Sequence, residues 1–347
     1  MKLIIDCMGG DHAPHEMLAG VVSAYKDRAA DCEFLLVGNE SRIKAVAEER
    51  GYDLTPFEIR HTEAVITMDD DAMVWRSEKK DASMTVALRA LADGEGDAVV
   101  SCTNTGALFA GATMIARRAK GVHRAAIGTV LPFDPPVLLL DSGANVSVSA
   151  EYMEQFAVMG TTYMKTVMGV ENPRVGLLNN GAEEHKGTQV QIDAYQLLSA
   201  NSELNFVGNV EGNRVMHDTC DVLVADGFSG NILLKTMEGM GKLMLKTMKK
   251  LFLANTRSKL AALAFRSRLG EVKKSFDASE YGGAPILGIA RPVIKAHGSS
   301  DANAFKNAIR QAIVYSENEV TEEMSEALKR LSERKKAAKA AAENQEG

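Results

Sequence analysis

Lys186 stands in a stretch whose residue types suit the binding of an oxyanion. An apolar run at residues 175–178 breaks into Asn179, Asn180, Gly181, Ala182, Glu183, Glu184, His185, Lys186, Gly187 and Thr188. A lysine among amides can neutralise and hydrogen-bond a phosphate or a developing carbonyl oxyanion. Glycine lets backbone N–H groups approach such an anion closely. The same composition also describes a solvated turn, so the other segments of the chain decide between the two readings.

Five more apolar runs end alike. Residues 3–5 lead into Asp6, Cys7, Met8, Gly9, Gly10, Asp11 and His12; residues 98–100 lead into Ser101, Cys102, Thr103, Asn104, Thr105 and Gly106. Residues 137–140 precede Asp141, Ser142, Gly143, Ala144 and Asn145; residues 206–208 precede Asn209, Val210, Glu211 and Gly212; residues 222–225 precede Asp226, Gly227, Phe228, Ser229, Gly230 and Asn231. Each reads as a buried strand that empties into a loop and then a helix, whose free N-terminal amides favour anions. Ligands of an open parallel sheet bind beyond the carboxyl ends of its strands. Six such loops on one edge are expected to hold a phosphate-sized, anionic substrate.

Strands must alternate with helices to hold these loops in place. Strands are expected at residues 2–5, 33–37, 97–100, 127–131 and 137–140, with helices at 40–50, 83–92, 107–118, 150–168 and 189–201. Residues 55–81, polar and aperiodic around the single tryptophan Trp75, read as a long connection or lid. His297, Gly298, Ser299, Ser300 and Asp301 offer capping chemistry for a C-terminal helix whose apolar face carries Phe305, Ala308, Ile309, Ala312 and Ile313. Methionines in the 150–168 helix, Met153, Met159, Met164 and Met168, read as core. This alternation predicts an α/β, doubly wound, mostly parallel, Rossmann-like sheet. A single catalytic domain spans residues 1–320, and a charged helix with a frayed tail follows at 321–347.

Composition excludes several function classes. With 347 residues, 46% hydrophobic and a net charge of −6, the chain can bury a large core and carries no general nucleic-acid footprint. Cys7, Cys32, Cys102 and Cys220 form no Cys-x-x-Cys pair, which argues against structural zinc or a disulfide framework. No leader and no spanning helix are expected, and a cytoplasmic protein fits. There is no Gly-x-Gly-x-x-Gly, Lys186 precedes Gly187 where a P-loop reverses the order, and Gly227-Phe228-Ser229-Gly230 is not a nucleophile elbow. His12 and His15 lack a carboxylate cluster that would make a metal site, and His61, His123 and His217 receive no role. Neither a cofactor nor a metal is expected.

One segment departs from the rest. Residues 235–274 hold eleven basic side chains against Glu238 and Glu271, a local charge of +9. Leu233, Met237, Met240, Met244, Met248 and Leu251 recur at helical spacing, while Lys235, Lys242, Lys246 and Lys249 take another face. After a turn near Asn255, Leu260, Leu263, Phe265 and Leu269 suggest a second arm, so a protruding cationic helical hairpin is expected at about 232–275. Dimerisation, contact with anionic lipid, docking of an acidic protein and plain packing on the sheet all remain open for it.

Taken together, the loops resemble a known family. Residues 6–14, 104–108, 208–212, 226–231, 281–285 and 297–301, in that order, are similar to the motifs of bacterial phosphate acyltransferases that act on acyl carrier protein. Departures occur at Cys102-Thr103, Ser142 and Asn180–Ala182. The resemblance implies a fold similar to those of phosphotransacetylase and the isocitrate and isopropylmalate dehydrogenases. It also implies that inorganic phosphate attacks the thioester of a long-chain acyl group on acyl carrier protein, giving acyl phosphate for glycerol-3-phosphate acylation in phospholipid synthesis.

Phosphate is already a nucleophile near neutral pH, so such an enzyme mainly positions it and stabilises the oxyanion. On this resemblance Lys186 and Asn231 are the catalytic candidates, helped by backbone amides after Asp226. Asp11, His12, Asn104, Thr105, Asn145, Asp226, Ser229, His297 and Ser299 line the pocket, with Asp11 or Asp226 orienting donors. The family's members are homodimers that touch the membrane peripherally, so Lys246, Lys249, Lys250, Leu260, Leu263 and Phe265 become the candidate membrane or partner surface, with the glycerol-3-phosphate acyltransferase as a further partner. A coenzyme A-dependent phosphate acetyltransferase and a non-enzymatic membrane scaffold are the alternatives.

Overall fold

A computed structural model describes residues 1–28, 32–255 and 282–346. Continuous apolar runs form the strands: β1 (Lys2–Asp6), β2 (Glu33–Gly38), β3 (Phe57–His61), β4 (Ala98–Ser101), β5 (Ala126–Leu131), β6 (Val137–Leu140), β7 (Arg174–Asn179), β8 (Asn205–Glu211), β9 (Val222–Val224), β10 (Ala284–Leu287) and β11 (Val293–Lys295). They make one sheet in the order β3-β2-β1-β4-β11-β10-β5-β6-β9-β7-β8. The helices are α1 (His15–Arg28), α2 (Glu40–Arg50), α3 (Ser83–Ala92), α4 (Thr105–Gly111), α5 (Ala150–Thr166), α6 (Gln189–Ala200), α7 (Gly227–Leu253), α8 (Ala302–Glu317) and α9 (Val320–Glu346).

Alternating side chains bury both faces of the sheet, which is why its strands read as unbroken apolar runs. Leu3, Ile5, Leu138 and Leu140 join one core with α1, α5 and α8, while Ile4, Val99 and Ile127 join a second under α3 and α4. Leu139, Leu223 and Val210 form a third patch, against which the first turns of α7 lay Leu233, Leu234 and Met237. Met153, Met159 and Met164 are fully core.

The expected doubly wound α/β architecture is present, with one change that alters the site. β3, β2, β1, β4 and β11 are mutually parallel, as are β6, β9, β7 and β8. Between the two groups, β10 and β5 introduce three antiparallel pairings, so the second group runs opposite to the first. The six loops therefore do not share one carboxyl edge. Instead, the loops after β1, β4 and β11 gather at one edge, and those after β6, β7, β8 and β9 at the other. A twist of roughly 20–25° per strand accumulates to about 100–125° between β4 and β9, which turns the two edges out of strict opposition.

Other expectations shift locally. Residues 55–81 contain the edge strand β3 and a 3-10 turn at Val74–Arg76, not one long connection. The expected 107–118 helix is α4 followed by a π-helical segment at Ala112–Ala116. β8 continues through Asn209 and Val210, where the sequence predicts a loop. Short β10 and β11 gave no signal strong enough to predict them. Val320, Met324, Leu328 and Leu331 of α9 are buried in the main core, so packing continues across the expected boundary at residue 320.

Candidate active site

At the first edge, buried Asp6 ties the turn after β1. Its carboxylate accepts from the Met8 and Gly9 amides, at 3.2 Å each, and from the Ser101 hydroxyl at 2.6 Å. Burial raises its pKa against the opposing effect of these hydrogen bonds. Gly9 must be glycine, because a Cβ there would stand 2.8 Å from the Thr103 nitrogen. Asp11 donates its N–H to the Gly298 carbonyl at 2.8 Å, which joins the loops after β1 and β11. Next to that junction a cavity of about 440 Å³ is lined by Asp11, His12, His15, Glu16, Ser299 and Asp301. His12 and Ser299 line this cavity together with three carboxylates, Asp11, Glu16 and Asp301.

Asn104 and Thr105 have local duties at this edge. The Asn104 carbonyl oxygen caps α4 by accepting from the Ala107 amide at 3.0 Å, and its side-chain nitrogen donates to the Met68 carbonyl at 2.8 Å. The Thr103 hydroxyl donates to Ile66 at 3.1 Å, so the supposed lid is pinned across the β4 loop. Thr105 opens α4. Cys102 beside them is no nucleophile, since burial pushes its thiol up to about 12.

At the second edge, the loops after β6 and β9 interlock. Gly227 donates to the Asn145 carbonyl at 2.7 Å. Asp226 caps α7 by accepting from the Ser229 amide at 2.8 Å, and the Ser229 hydroxyl donates to the same carboxylate at 2.9 Å. Gly230 donates to the Asp226 carbonyl at 2.9 Å. Three of the first four amides of α7 are thus satisfied within the protein, contrary to the expectation that they await an anion. Asn145, 1% exposed, likewise has its whole side chain engaged, with Arg124 at 2.6 Å and with Asp141 and Ala125 at 2.8 Å each. It is a strut behind the surface.

What remains open at this edge is Lys186 and Asn231. Both are exposed, and neither side-chain head makes a hydrogen bond or ion pair among the described residues. The Lys186 loop is held by its backbone: Lys186 donates to the Glu183 carbonyl at 3.1 Å, and the Asn179 amide donates to the Lys186 carbonyl at 3.0 Å. Thr188 and Gln191 then close a capping box on α6. Asn231 lies beside Gly143, whose ideal Cβ would be 3.4 Å from the Asn231 Cβ.

Helix α7 connects the two edges. Asn231, Lys235, Glu238 and Lys242 fall on one face at helical spacing. The charges of Lys235, Glu238 and Lys242 act on His297, and those of Lys235 and Glu238 on Lys295. Burial first, then Lys295 and Lys235, lowers the His297 pKa, so the ring is neutral at pH 7 and shares a 2.9 Å hydrogen bond between its Nδ1 and the Ser299 hydroxyl. Burial likewise lowers Lys295. Along α7, Lys242 and Lys235, the latter paired with Glu238 at 2.8 Å, act on His297, while Arg124, bonded to the β6 loop, and Lys186, after β7, are further cations at the second edge.

Lys235, Lys295 and Arg124, cations at these edges, are not among the candidates expected from the sequence. Lys235, expected on the charged face of the cationic helix, follows Asn231 by one helical turn. Lys295 directly precedes the Ala296-His297 turn of a strand too short to predict. Arg124 sits in a run with Arg117, Arg118 and Lys120 whose charge density was the available signal.

Farther along, α7 leaves the body of the protein. Met240, Leu243, Met244, Leu251 and Leu253 are exposed beside exposed Lys246, Lys249 and Lys250. The second arm with Leu260, Leu263 and Phe265 lies outside the described residues, as does Tyr281. Among the described residues no helix is long and apolar enough to cross a membrane.

A family model described as fatty acid synthesis protein matches residues 1–323. A phosphate acyltransferase of Acetivibrio thermocellus is 43% identical over 325 residues, covering 93% of this chain and 95% of that protein. One of Clostridium acetobutylicum is 42% identical over 332 residues, covering 95% and 100%. Among solved structures, a phosphotransacetylase from Streptococcus pyogenes aligns with a TM-score of 0.60 at 16% identity over 91% of this chain and 94% of its own. A branched-chain phosphotransacylase from Enterococcus faecalis aligns with a TM-score of 0.54 at 15% identity, over 91% and 99%. At such identities these two structures speak for the fold.

Proposed function

The chain belongs to the fatty acid synthesis protein family, and on that premise we propose that it moves a long-chain fatty acyl group from acyl carrier protein to inorganic phosphate. It is an acyltransferase with phosphate as acceptor. In the reaction a phosphate oxygen attacks the thioester carbonyl carbon, the C–S bond breaks, and the carrier leaves as a thiolate that takes up a proton. A C–O bond replaces a C–S bond, and no redox partner is needed. The acyl phosphate then serves glycerol-3-phosphate acylation.

The observation that supports this reading is the pair of exposed heads left unengaged among the described residues, Lys186 in the loop after β7 and Asn231 in the first turns of α7 after the neighbouring strand β9. Lys186 neutralises the phosphate or the tetrahedral oxyanion, and Asn231 donates a hydrogen bond to it. His297, neutral and oriented by Ser299, stands across α7 as a donor or acceptor. The engaged residues Asp226, Ser229 and Asn145 position these groups. The buried, protonated thiol of Cys102 favours direct transfer over an acyl-cysteine intermediate.

The projecting part of α7 supports a second component of the proposal: a homodimer with peripheral attachment to anionic membrane, where the acceptor acyltransferase for glycerol 3-phosphate works. Apolar Leu243, Met244 and Leu251 beside Lys246, Lys249 and Lys250 suit an interface between water and lipid.

The test is release of free thiol from palmitoyl-acyl carrier protein, with and without phosphate, and with hydroxylamine to trap acyl phosphate as hydroxamate. Phosphate-dependent release with trapped hydroxamate is expected. Turnover with acetyl-coenzyme A alone would move the protein to the acetyltransferase class, and no turnover in a folded protein would leave only a scaffold role.

A further inference from the structure

We infer that Arg124 is the side chain that grips the acceptor phosphate, aligned for this by a buried relay from Asp141 through Asn145. The inference rests on the reading of the chain as an acyltransferase to phosphate. Arg124 enters β5 at the edge where the β6 loop turns, and it is exposed. Its Nε donates to the Asn145 Oδ1 at 2.6 Å. The other end of that amide donates to the Asp141 carboxylate and the Ala125 carbonyl, both at 2.8 Å. Those two acceptors fix which way the amide points, so its oxygen must face the guanidinium.

Asp141 is itself fully buried, and its carboxylate accepts from the amides of Ile127, Gly143, Ala144 and Asn145 as well as from the Asn145 side chain. Its charge is spread over these donors and never meets Arg124 directly. The guanidinium is thus oriented without being neutralised. Among the described residues its two terminal nitrogens make no hydrogen bond and no ion pair. They form a fork that matches two oxygens of a phosphate, with the side chain already ordered before the anion arrives.

Location and need coincide here. The loop that holds Arg124 also carries Gly143, which abuts Asn231. Of the first amides of α7, the other local source of anion donors, those of Gly227, Ser229 and Gly230 are already satisfied by Asn145 and Asp226. Lys186 supplies charge but no fixed geometry, so a two-pronged ligand for the acceptor falls to Arg124.

Initial-rate kinetics of the full-length protein with Arg124→Ala and Arg124→Lys, varying inorganic phosphate and acyl carrier protein separately, test this. Calorimetric titration of inorganic phosphate into each protein adds a readout independent of turnover. Arg124→Ala is expected to raise the KM for phosphate about tenfold to a hundredfold and to weaken phosphate binding, with the KM for the carrier little changed. Arg124→Lys should recover part of the loss. An unchanged phosphate KM, or a rise in the carrier KM alone, would overturn the inference; the latter would assign the fork to the carrier's phosphopantetheine phosphate. Absence of phosphate-dependent release by the unmodified protein would instead sink the acyl-transfer reading, and this inference with it.

Discussion

Gly230 stands against Asp141 so closely that a Cβ at position 230 would lie 2.0 Å from the Asp141 carbonyl oxygen. The contact sets α7 against the β6 loop and thereby places Asn231 beside Gly143. Gly230→Ala should cost about 3 kcal/mol or push the start of α7 away, because the blocking atom is backbone and cannot yield cheaply. Gly239, with nothing within 4 Å of its would-be Cβ, is the control. There Ala should stabilise by about 0.5–1 kcal/mol through helix propensity. Urea unfolding of both variants decides; equal effects would mean that the close contact does not constrain the helix.

Lys186→Ala should remove nearly all phosphate-dependent thioester cleavage while stability changes by no more than about 0.5 kcal/mol, since the side chain is exposed and its head unpaired among the described residues. Near-normal turnover would take Lys186 out of the mechanism.

His297 should titrate below 6.5, and Lys235→Met should move its midpoint upward by removing a nearby cation. The folded pKa lies below the unfolded value, so the unfolded chain binds more protons in the interval between them. This residue's contribution to stability is therefore present above pH 6.5 and is lost as pH falls towards the folded midpoint. NMR of the imidazole protons measures both midpoints. A midpoint at or above 6.5 would contradict the partly desolvated, cationic surroundings of this ring.

Leu243→Glu combined with Leu251→Glu should reduce sedimentation with anionic vesicles and leave turnover of soluble acyl carrier protein largely intact. Both side chains are exposed, at 57% and 66%, and far along α7 from Asn231. Unchanged vesicle binding would detach the helix from the membrane.

Much of this protein was legible locally. Glycine, asparagine and aspartate after short apolar runs marked the loops, because turn chemistry and strand burial are properties of a few adjacent residues. The cap at Asp301 was likewise readable, and it accepts from the amide three residues on. The edge strand β3 was hidden because Phe57–His61 is half polar and only partly buried, and β10 and β11 because four and three residues are too few to show a period.

The sequence by itself determined the fold class, the loop chemistry and the family resemblance through Lys186, Asn231 and the glycine motifs. Tertiary structure alone decided the rest. Strand direction depends on which distant strands pair, and the antiparallel insertion of β10 and β5 sends the two groups of loops to different edges. Only the path of α7 then brings Lys235 to act on His297, and only packing consumes the α7 amides and leaves Arg124 aligned on Asn145. A hydrogen bond between residues 21 apart in the chain leaves no periodic trace in it, so such roles become visible only once the backbone is closed.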